Sequence, residues 1–100
     1  MDNFNSLISS QTPTLVDFHA TWCGPCKMQG PVLDELKKKV GDSVNIIKID
    51  VDQNSELADS YRVQSVPTLI LFRNGRQLWR ASGLHQLPAL EAKINEALAK

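Results

Sequence analysis

The stretch TWCGPCKM, residues 21–28, holds both cysteines of the chain, three positions apart at the start of a helical pattern. In the first turn of a helix, side chains at positions i and i+3 share a face, with Cβ atoms roughly 5–6 Å apart. A disulfide needs Cα atoms roughly 4.4–6.8 Å apart, so small adjustments let this pair open and close. The ring that such a bond closes is very small and removes little entropy from the unfolded chain. The spacing therefore favours a chemical role for the two sulfurs over a structural one.

The neighbouring residues predict a difference between the two thiols. Cys23 falls at the helix start, where unpaired N–H groups and the helix dipole favour a thiolate. We therefore expect Cys23 to be an exposed attacking thiol and Cys26, one turn further in, to be a covered resolving thiol. Gly24 leaves the approach to Cys23 open. Pro25 has no N–H group to offer the sulfurs, so the thiolate is stabilised only moderately. Such a thiolate is a poorer leaving group, which favours a reductant over an oxidant. Trp22 is expected to form a wall of the contact surface.

Outward from this segment, the chain alternates between strand-like and helix-like runs. Strand patterns cover residues 14–20, 44–50, 68–73 and 76–82, and helical patterns cover residues 3–9, 25–40, 55–61 and 87–98. Asn74-Gly75, between the last two strands, is the preferred pair for a two-residue hairpin turn. Strands joined by a helix must be parallel, whereas hairpin strands are antiparallel. The order predicts an α/β fold with a mixed sheet flanked by helices, and we expect a single domain over residues 1–100.

Two of these elements flank the cysteines. Residues 14–20 are apolar apart from Asp17 and His19, so we expect a strand that is covered on both faces. Asp17 and His19 should share one side of it, because strand side chains alternate. Gly41 is a natural stop for the helix that follows. The residues that we place on the buried face of that helix are Met28, Val32, Leu33, Leu36 and Val40.

Composition excludes several classes of function. The formal net charge is zero, which argues against a surface that binds nucleic acid. No apolar run reaches the roughly 18 residues of a membrane span, and the first residues lack the basic and apolar regions of a signal peptide. Two cysteines are too few for a disulfide-stapled secreted scaffold, so we expect a cytoplasmic protein. A zinc site would need two more ligands, and the spacing of His19 and His85 matches no common zinc pattern, so no metal is expected.

The chain resembles the thioredoxin family over nearly its whole length. The segments that carry the resemblance are LVDFHATWCGPCKM (15–28), Pro31, IDVDQN (49–54), VPTLILFRNG (66–75) and Gly83. The resemblance implies the thioredoxin-like fold and a protein-disulfide reductase that works by dithiol–disulfide exchange. It also implies disulfide-containing client proteins, electrons from a thioredoxin reductase, and a redox-active pair of cysteines in place of any bound cofactor.

The resemblance also implies roles for single residues near the sulfurs. Cys23 matches the nucleophile, Cys26 the resolving thiol, Asp17 the buried acid behind the site and Lys48 the lysine near it. A carboxyl that is covered on both sides should have a raised pKa, which suits a general base for Cys26. Lys48, on the neighbouring strand, would oppose that rise.

Further residues match the surface that docks substrates. Val66 and Pro67 match the loop in which the proline is cis and the substrate backbone binds, and Gly83 matches a glycine that keeps the surface flat. Trp22, Gly24 and Pro25 complete this substrate-binding set.

Three positions depart from the family pattern. His19 stands where the family usually has an aromatic residue, and Gln29-Gly30 replaces a more apolar pair. The usual first strand is missing, which predicts four strands with residues 44–50 at an exposed edge. We expect a monomer. The exposed edge is the one feature that argues against it, because an edge strand can pair with a strand of another molecule.

Three functions are compatible with this sequence. The first is a general disulfide reductase, and the second is a redox protein dedicated to one partner, with His19 tuning its potential. The third is a docking module without turnover, built on the surface around Trp22, Pro67 and Gly83. The Gly-Pro pair between the cysteines favours the first, because it is the family's reducing dipeptide.

Overall fold

The computed structural model describes residues 2–99, so Met1 and Lys100, the ends of the predicted domain, lie outside the described residues. The strands are β1 (Thr14–His19), β2 (Asn45–Asp50), β3 (Thr68–Arg73) and β4 (Arg76–Ser82). The α-helices are α1 (Asp2–Ile8), α2 (Gly24–Val40), α3 (Ser55–Ser60) and α4 (Leu87–Leu98). The predicted elements are all present, with small differences at their ends. None of the helices in this part of the chain is long and apolar enough to cross a membrane.

The strands of residues 2–99 form one mixed sheet in the order β2-β1-β3-β4. β1 pairs with β2 in parallel, and β3 pairs with both β1 and β4 in antiparallel orientation. Asn74 and Gly75 both have positive φ angles, 53° and 79°, which is the backbone conformation of a type I′ hairpin turn. The structure confirms the predicted α/β fold, the hairpin and the four-stranded sheet flanked by helices.

β1 is covered on both faces, as its apolar sequence predicts. On one face, Leu15 packs in a cluster with residues of α2 and α4, including Leu33 and Ile94. On the other face, Phe18 packs in a cluster with residues of α1 and α3, including Phe4. The sheet thus separates two helical layers, and Asp17 lies on the α2 side because it alternates with Phe18.

The buried face of α2 differs from the predicted one. Met28 is 59% exposed, whereas Gln29 is fully buried. The buried residues of the helix are Cys26, Gln29, Leu33 and Leu36, whose spacings of three and four follow the helical period. The half-buried residues at the border of this stripe include Val32 and Val40. The prediction that Met28 is buried was wrong. Polarity alone favoured Met28 over Gln29, but the amide of Gln29 finds hydrogen-bond partners inside the protein.

The two ends of α2 follow the sequence closely. Cys23 is the N-cap residue, and Pro25 lies in the first turn, where its missing N–H group costs no helical hydrogen bond. The helix runs through Pro31 and ends before Gly41, whose backbone N–H donates to the carbonyl of Lys37. The predicted stop at Gly41, with a φ of 55°, is confirmed.

The corrected burial of α2 can be tested by truncating one residue on each side. Leu36 is fully buried in the cluster between α2, the sheet and α4. We expect Leu36→Ala to lower the free energy of unfolding by about 2–5 kcal/mol, because it leaves a cavity in a packed core. Met28→Ala, at an exposed position, should change it by less than about 0.5 kcal/mol. Urea unfolding measures both variants, and an equal loss in the two would contradict this assignment of faces.

Candidate active site

Cys23 and Cys26 form a disulfide at the N-terminus of α2, with their Cα atoms 5.3 Å apart. The sulfur of Cys23 accepts a hydrogen bond from the backbone N–H of Cys26, with a distance of 3.1 Å between Sγ and N. The first N–H groups of a helix have no partner within it, and their dipoles favour negative charge. The helix start therefore offers Cys23, more than Cys26, a setting that stabilises a thiolate.

The two sulfurs do not differ in exposure as expected. In the disulfide form Cys23 is 4% exposed and Cys26 is 7% exposed, so the prediction of an open Cys23 was wrong for this state. The carbonyl oxygen of Val66 lies 3.5 Å from Sγ of Cys23, and Ala20 and Val51 pack around the pair. A disulfide sulfur carries no proton, so the approach of Val66 is a contact and not a hydrogen bond. The loop before Pro67 thus covers the sulfur.

The loop with Pro67 and the glycine at position 83 are brought together beside the sulfurs. The Val66-Pro67 peptide bond is cis, as expected. The backbone N–H of Gly83 donates to the carbonyl of Pro67 at 2.8 Å. Gly83 has a φ of 88°, which favours glycine, and a Cβ atom built on it would meet nothing within 4 Å. A side chain at this position would therefore project into open space.

Trp22 forms an exposed wall next to the loop that covers the disulfide. Its side chain is 69% exposed, and its Nε1 donates to Oδ2 of Asp52 at 2.9 Å. Val51 and Val66 line a cavity of about 100 Å³ with it. Gly24 is exposed nearby, with open space where a Cβ atom would be. Asp52 was not predicted as a site residue, although the segment 49–54 that contains it carried part of the resemblance.

A second cavity of about 220 Å³ lies behind the disulfide and brings Asp17 and Cys26 together. His19 and Lys48 also line it, together with Gly30 of α2. Asp17 is only 2% exposed, and its Oδ1 atom has no hydrogen-bond partner among the described residues. The predicted burial of Asp17 is confirmed, as is the prediction that Asp17 and His19 share one side of β1.

Burial controls the charge of Asp17. It raises the pKa of this carboxyl from 3.8 to about 6, because an ionised carboxylate loses most of its hydration inside the protein. The charges of His19 and Lys48 lower the pKa in part and so limit the rise. A carboxyl that titrates near neutral pH can both accept and release a proton under working conditions.

Lys48 reaches the cavity but is paired elsewhere. It lies opposite Asp17 in the register of β1 and β2. Its Nζ atom contacts Oδ1 of Asp34 in α2 at 3.2 Å, and the two side chains are 41% and 68% exposed. Such an exposed ion pair is weak. Lys48 therefore acts on Asp17 through its charge and without a direct hydrogen bond.

The described residues contain no group of three or more His, Cys, Asp or Glu side chains that could hold a metal ion. The redox chemistry that this arrangement offers is that of the two sulfurs. Opening the disulfide takes up two electrons, and closing it returns them to a partner disulfide.

Known proteins are similar to this chain in sequence and in fold. The thioredoxin family model matches residues 1–96. The chain belongs to the thioredoxin family. The thioredoxin of Bacillus subtilis is 43% identical over 97 residues, covering 97% of this chain and 93% of that protein. The bifunctional thioredoxin reductase/thioredoxin of Mycobacterium leprae is 42% identical over 95 residues, covering 95% of this chain and 21% of that protein. A solved mutant thioredoxin of Halobacterium salinarum has a TM-score of 0.88 at 38% identity, covering 97% of this chain and 84% of that one.

The family and the paired cysteines establish the activity. This thioredoxin-family chain has its C-x-x-C pair at disulfide distance, so it is a dithiol–disulfide oxidoreductase that reduces protein disulfides. The predicted recognition, fold and reaction are thereby confirmed.

The raised pKa of Asp17 predicts that this carboxyl destabilises the protein at neutral pH. The unfolded chain ionises near a pKa of roughly 3.9, whereas the folded state holds its proton up to about 6. The free energy of unfolding therefore falls as pH rises through this window, by about 1.4 kcal/mol per unit of pKa difference. We expect oxidised Asp17→Asn to be more stable than the wild type by about 2–3 kcal/mol at about pH 8, and by much less at about pH 4. Urea unfolding at both pH values measures this, and a variant that is less stable at the higher pH would show that the carboxylate is a net stabilising group.

Proposed function

We propose that the chain reduces client disulfides in two steps, with Cys23 as the nucleophile and Cys26 as the resolving thiol. The thiolate of Cys23 attacks one client sulfur, so that a mixed disulfide forms and the other client sulfur leaves as a thiolate. The thiolate of Cys26 then attacks the sulfur of Cys23, which releases the second client thiolate and closes the Cys23–Cys26 disulfide. The hydrogen bond from the N–H of Cys26 to the sulfur of Cys23 supports this assignment, because it favours the thiolate needed first.

Asp17 is the proposed general base for the second step. Cys26 must lose its proton before it can attack, and the cavity shared by Asp17 and Cys26 is the observation that carries the proposal. Asp17, with a pKa of about 6, takes this proton across the cavity and later releases it to solvent. Lys48 has a supporting role, because its charge keeps the pKa of Asp17 from rising further.

The proposed docking face consists of Trp22, Gly24, Pro25, Val66, Pro67 and Gly83. An extended client segment would pair with the backbone at Val66 as an added strand, which brings its disulfide to Cys23. The contact of the Val66 carbonyl with Sγ of Cys23 supports this placement. The open space at Gly24 and Gly83 supports it as well, since no side chain would obstruct the approaching segment.

The electron donor that we propose is a thioredoxin reductase, and the clients are disulfide-containing proteins. The Mycobacterium leprae relative, named as a reductase and a thioredoxin in one protein, supports the pairing with a reductase. The Cys23–Cys26 pair would carry the electrons without a bound cofactor, as part of electron transport and cell redox homeostasis. We further propose a monomer with one domain over residues 1–100. A cytoplasmic location suits it, because a reducing compartment supplies the dithiol form.

Insulin reduction with NADPH and thioredoxin reductase tests this function. We expect the wild type to reduce insulin and Cys23→Ser to be inactive, because no attacking thiolate remains. Cys26→Ser should stop after the first step, so that clients collect as mixed disulfides on Cys23 and mass spectrometry identifies them. A chain that binds clients without reducing them would instead be a docking module. Reduction of a single client, with insulin left intact, would point to a redox protein dedicated to one partner.

The roles of Asp17 and His19 predict a pH profile for the second step. Asp17→Asn should slow the release of client from the mixed disulfide by about 100-fold or more, as expected when a general base is lost. His19→Trp removes the electrostatic interaction by which His19 lowers the pKa of Asp17, so the midpoint of the profile should move to higher pH. Rapid-quench measurements of client release between about pH 5 and about pH 8 give both results. An unchanged profile in His19→Trp would mean that His19 only packs against the strand.

A further inference from the structure

Gln29 is a fully buried polar side chain that the two-step reaction does not use. It lies on α2 one turn after Cys26. Its Nε2 atom donates to the backbone carbonyl of His85 at 3.0 Å, and its Oε1 atom accepts from the backbone N–H of His85 at 2.8 Å. One side-chain amide thus pairs with both backbone groups of a single residue, in the manner of a neighbouring strand.

His85 connects this pair to the docking face. Its Nδ1 atom lies 2.8 Å from the carbonyl oxygen of Gly83, and its ring packs edge-on against Trp79 with the ring centroids 5.4 Å apart. The N–H of Gly83 in turn donates to the carbonyl of Pro67. An unbroken series of hydrogen bonds therefore leads from the helix of the cysteines through Gln29, His85 and Gly83 to the loop of Pro67.

Gln29 fixes the backbone of this segment in addition to the ring contacts of His85 and the bond from Gly83 to Pro67. Residues 83–86 join β4 to α4 and belong to neither element. Gly83 has no side chain with which to anchor the turn, and its φ of 88° makes the backbone depart from the strand. Without Gln29, the N–H and carbonyl of His85 would lose their partners, and backbone groups away from water need such partners. Gln29 thus ties the segment that follows Gly83 to α2, the helix of the cysteines.

An apolar residue could fill the space of Gln29 without this linkage. A leucine or methionine would supply comparable packing, but it could not bond to the backbone of His85. The net contribution of a buried hydrogen bond to stability is modest, because the amide gives up its bonds to water. The amide instead fixes the position of the loop. A hydrogen bond weakens when its length or angle changes, whereas apolar contacts persist when the two surfaces shift against each other.

We propose that Gln29 is a positioning residue for client recognition, which holds Gly83 in register with Cys23 and Pro67 and so favours disulfides within extended polypeptide segments. This inference rests on the proposed function and narrows its substrate class. A polypeptide that pairs with the backbone at Val66 extends past the sulfur and reaches Gly83. A small disulfide reaches Cys23 without touching this loop, so its reduction does not depend on Gln29.

Kinetics on two substrates test the proposal with Gln29→Leu. With thioredoxin reductase and NADPH, we expect the KM for insulin to rise about tenfold, because the two bonds that fix the loop are lost, while kcat changes less than about twofold. The rate with cystine should change less than about twofold, since the sulfurs and their helix start stay in place. Hydrogen exchange at the His85 amide should become faster, which reports the release of the loop directly.

Two further variants separate positioning from stability. Gln29→Met keeps an unbranched side chain of similar length and should raise the KM for insulin in the same way. Leu36→Val weakens packing on the same buried face of α2 without removing a hydrogen bond, so it should leave the KM for insulin unchanged. A native KM in both Gln29 variants would overturn the proposal, as would equal losses on insulin and cystine. A wild-type protein that reduces neither substrate would instead overturn the proposed function itself.

Discussion

The burial of β1 on both faces is the constraint on which the rest of the structure depends. This burial places the carboxyl of Asp17 in a medium of low polarity. The strand is followed by a turn in which the N–H of Cys23 bonds to the carbonyl of Ala20. Helix α2 therefore begins at the carboxyl end of a central strand, which is where open α/β sheets place their sites. The carboxyl, the helix start and the two sulfurs share one location because a single strand fixes all of them.

The two thiols differ in the groups that they face and not in how exposed they are. Cys23 faces a backbone N–H at a helix start, which favours the charged form of sulfur. Cys26 faces the cavity of Asp17, where a carboxyl of raised pKa can take a proton. In the proposed reaction, the sulfur that acts first is thus the one with a donor beside it, and the sulfur that acts second has an acceptor nearby.

Local patterns predicted what depends on neighbours in the chain. The elements followed from hydrophobic period and from turn residues such as Asn74 and Gly75. Asp17 stood out because it interrupts an apolar strand. Contacts between distant segments were not predictable in this way. The partner of Gln29 lies 56 residues away. The sequence therefore could not show that this polar residue is buried and that its neighbour Met28 is exposed. The cover over Cys23 comes from Val66, and the partner of Trp22 is Asp52, 30 residues away.

The position of Lys48 has a consequence for contact between molecules. β2 is an outer strand of the sheet formed by the described residues, and Lys48 is the exposed residue in a strand that is otherwise half-buried. Outer strands present unpaired N–H and carbonyl groups that can recruit a strand from another molecule, and a lysine on such a strand discourages this joining. Its contact with Asp34 places this charge next to α2. The lysine that lowers the pKa of a buried acid is therefore also a charge of the kind that disfavours pairing between an outer strand and another molecule.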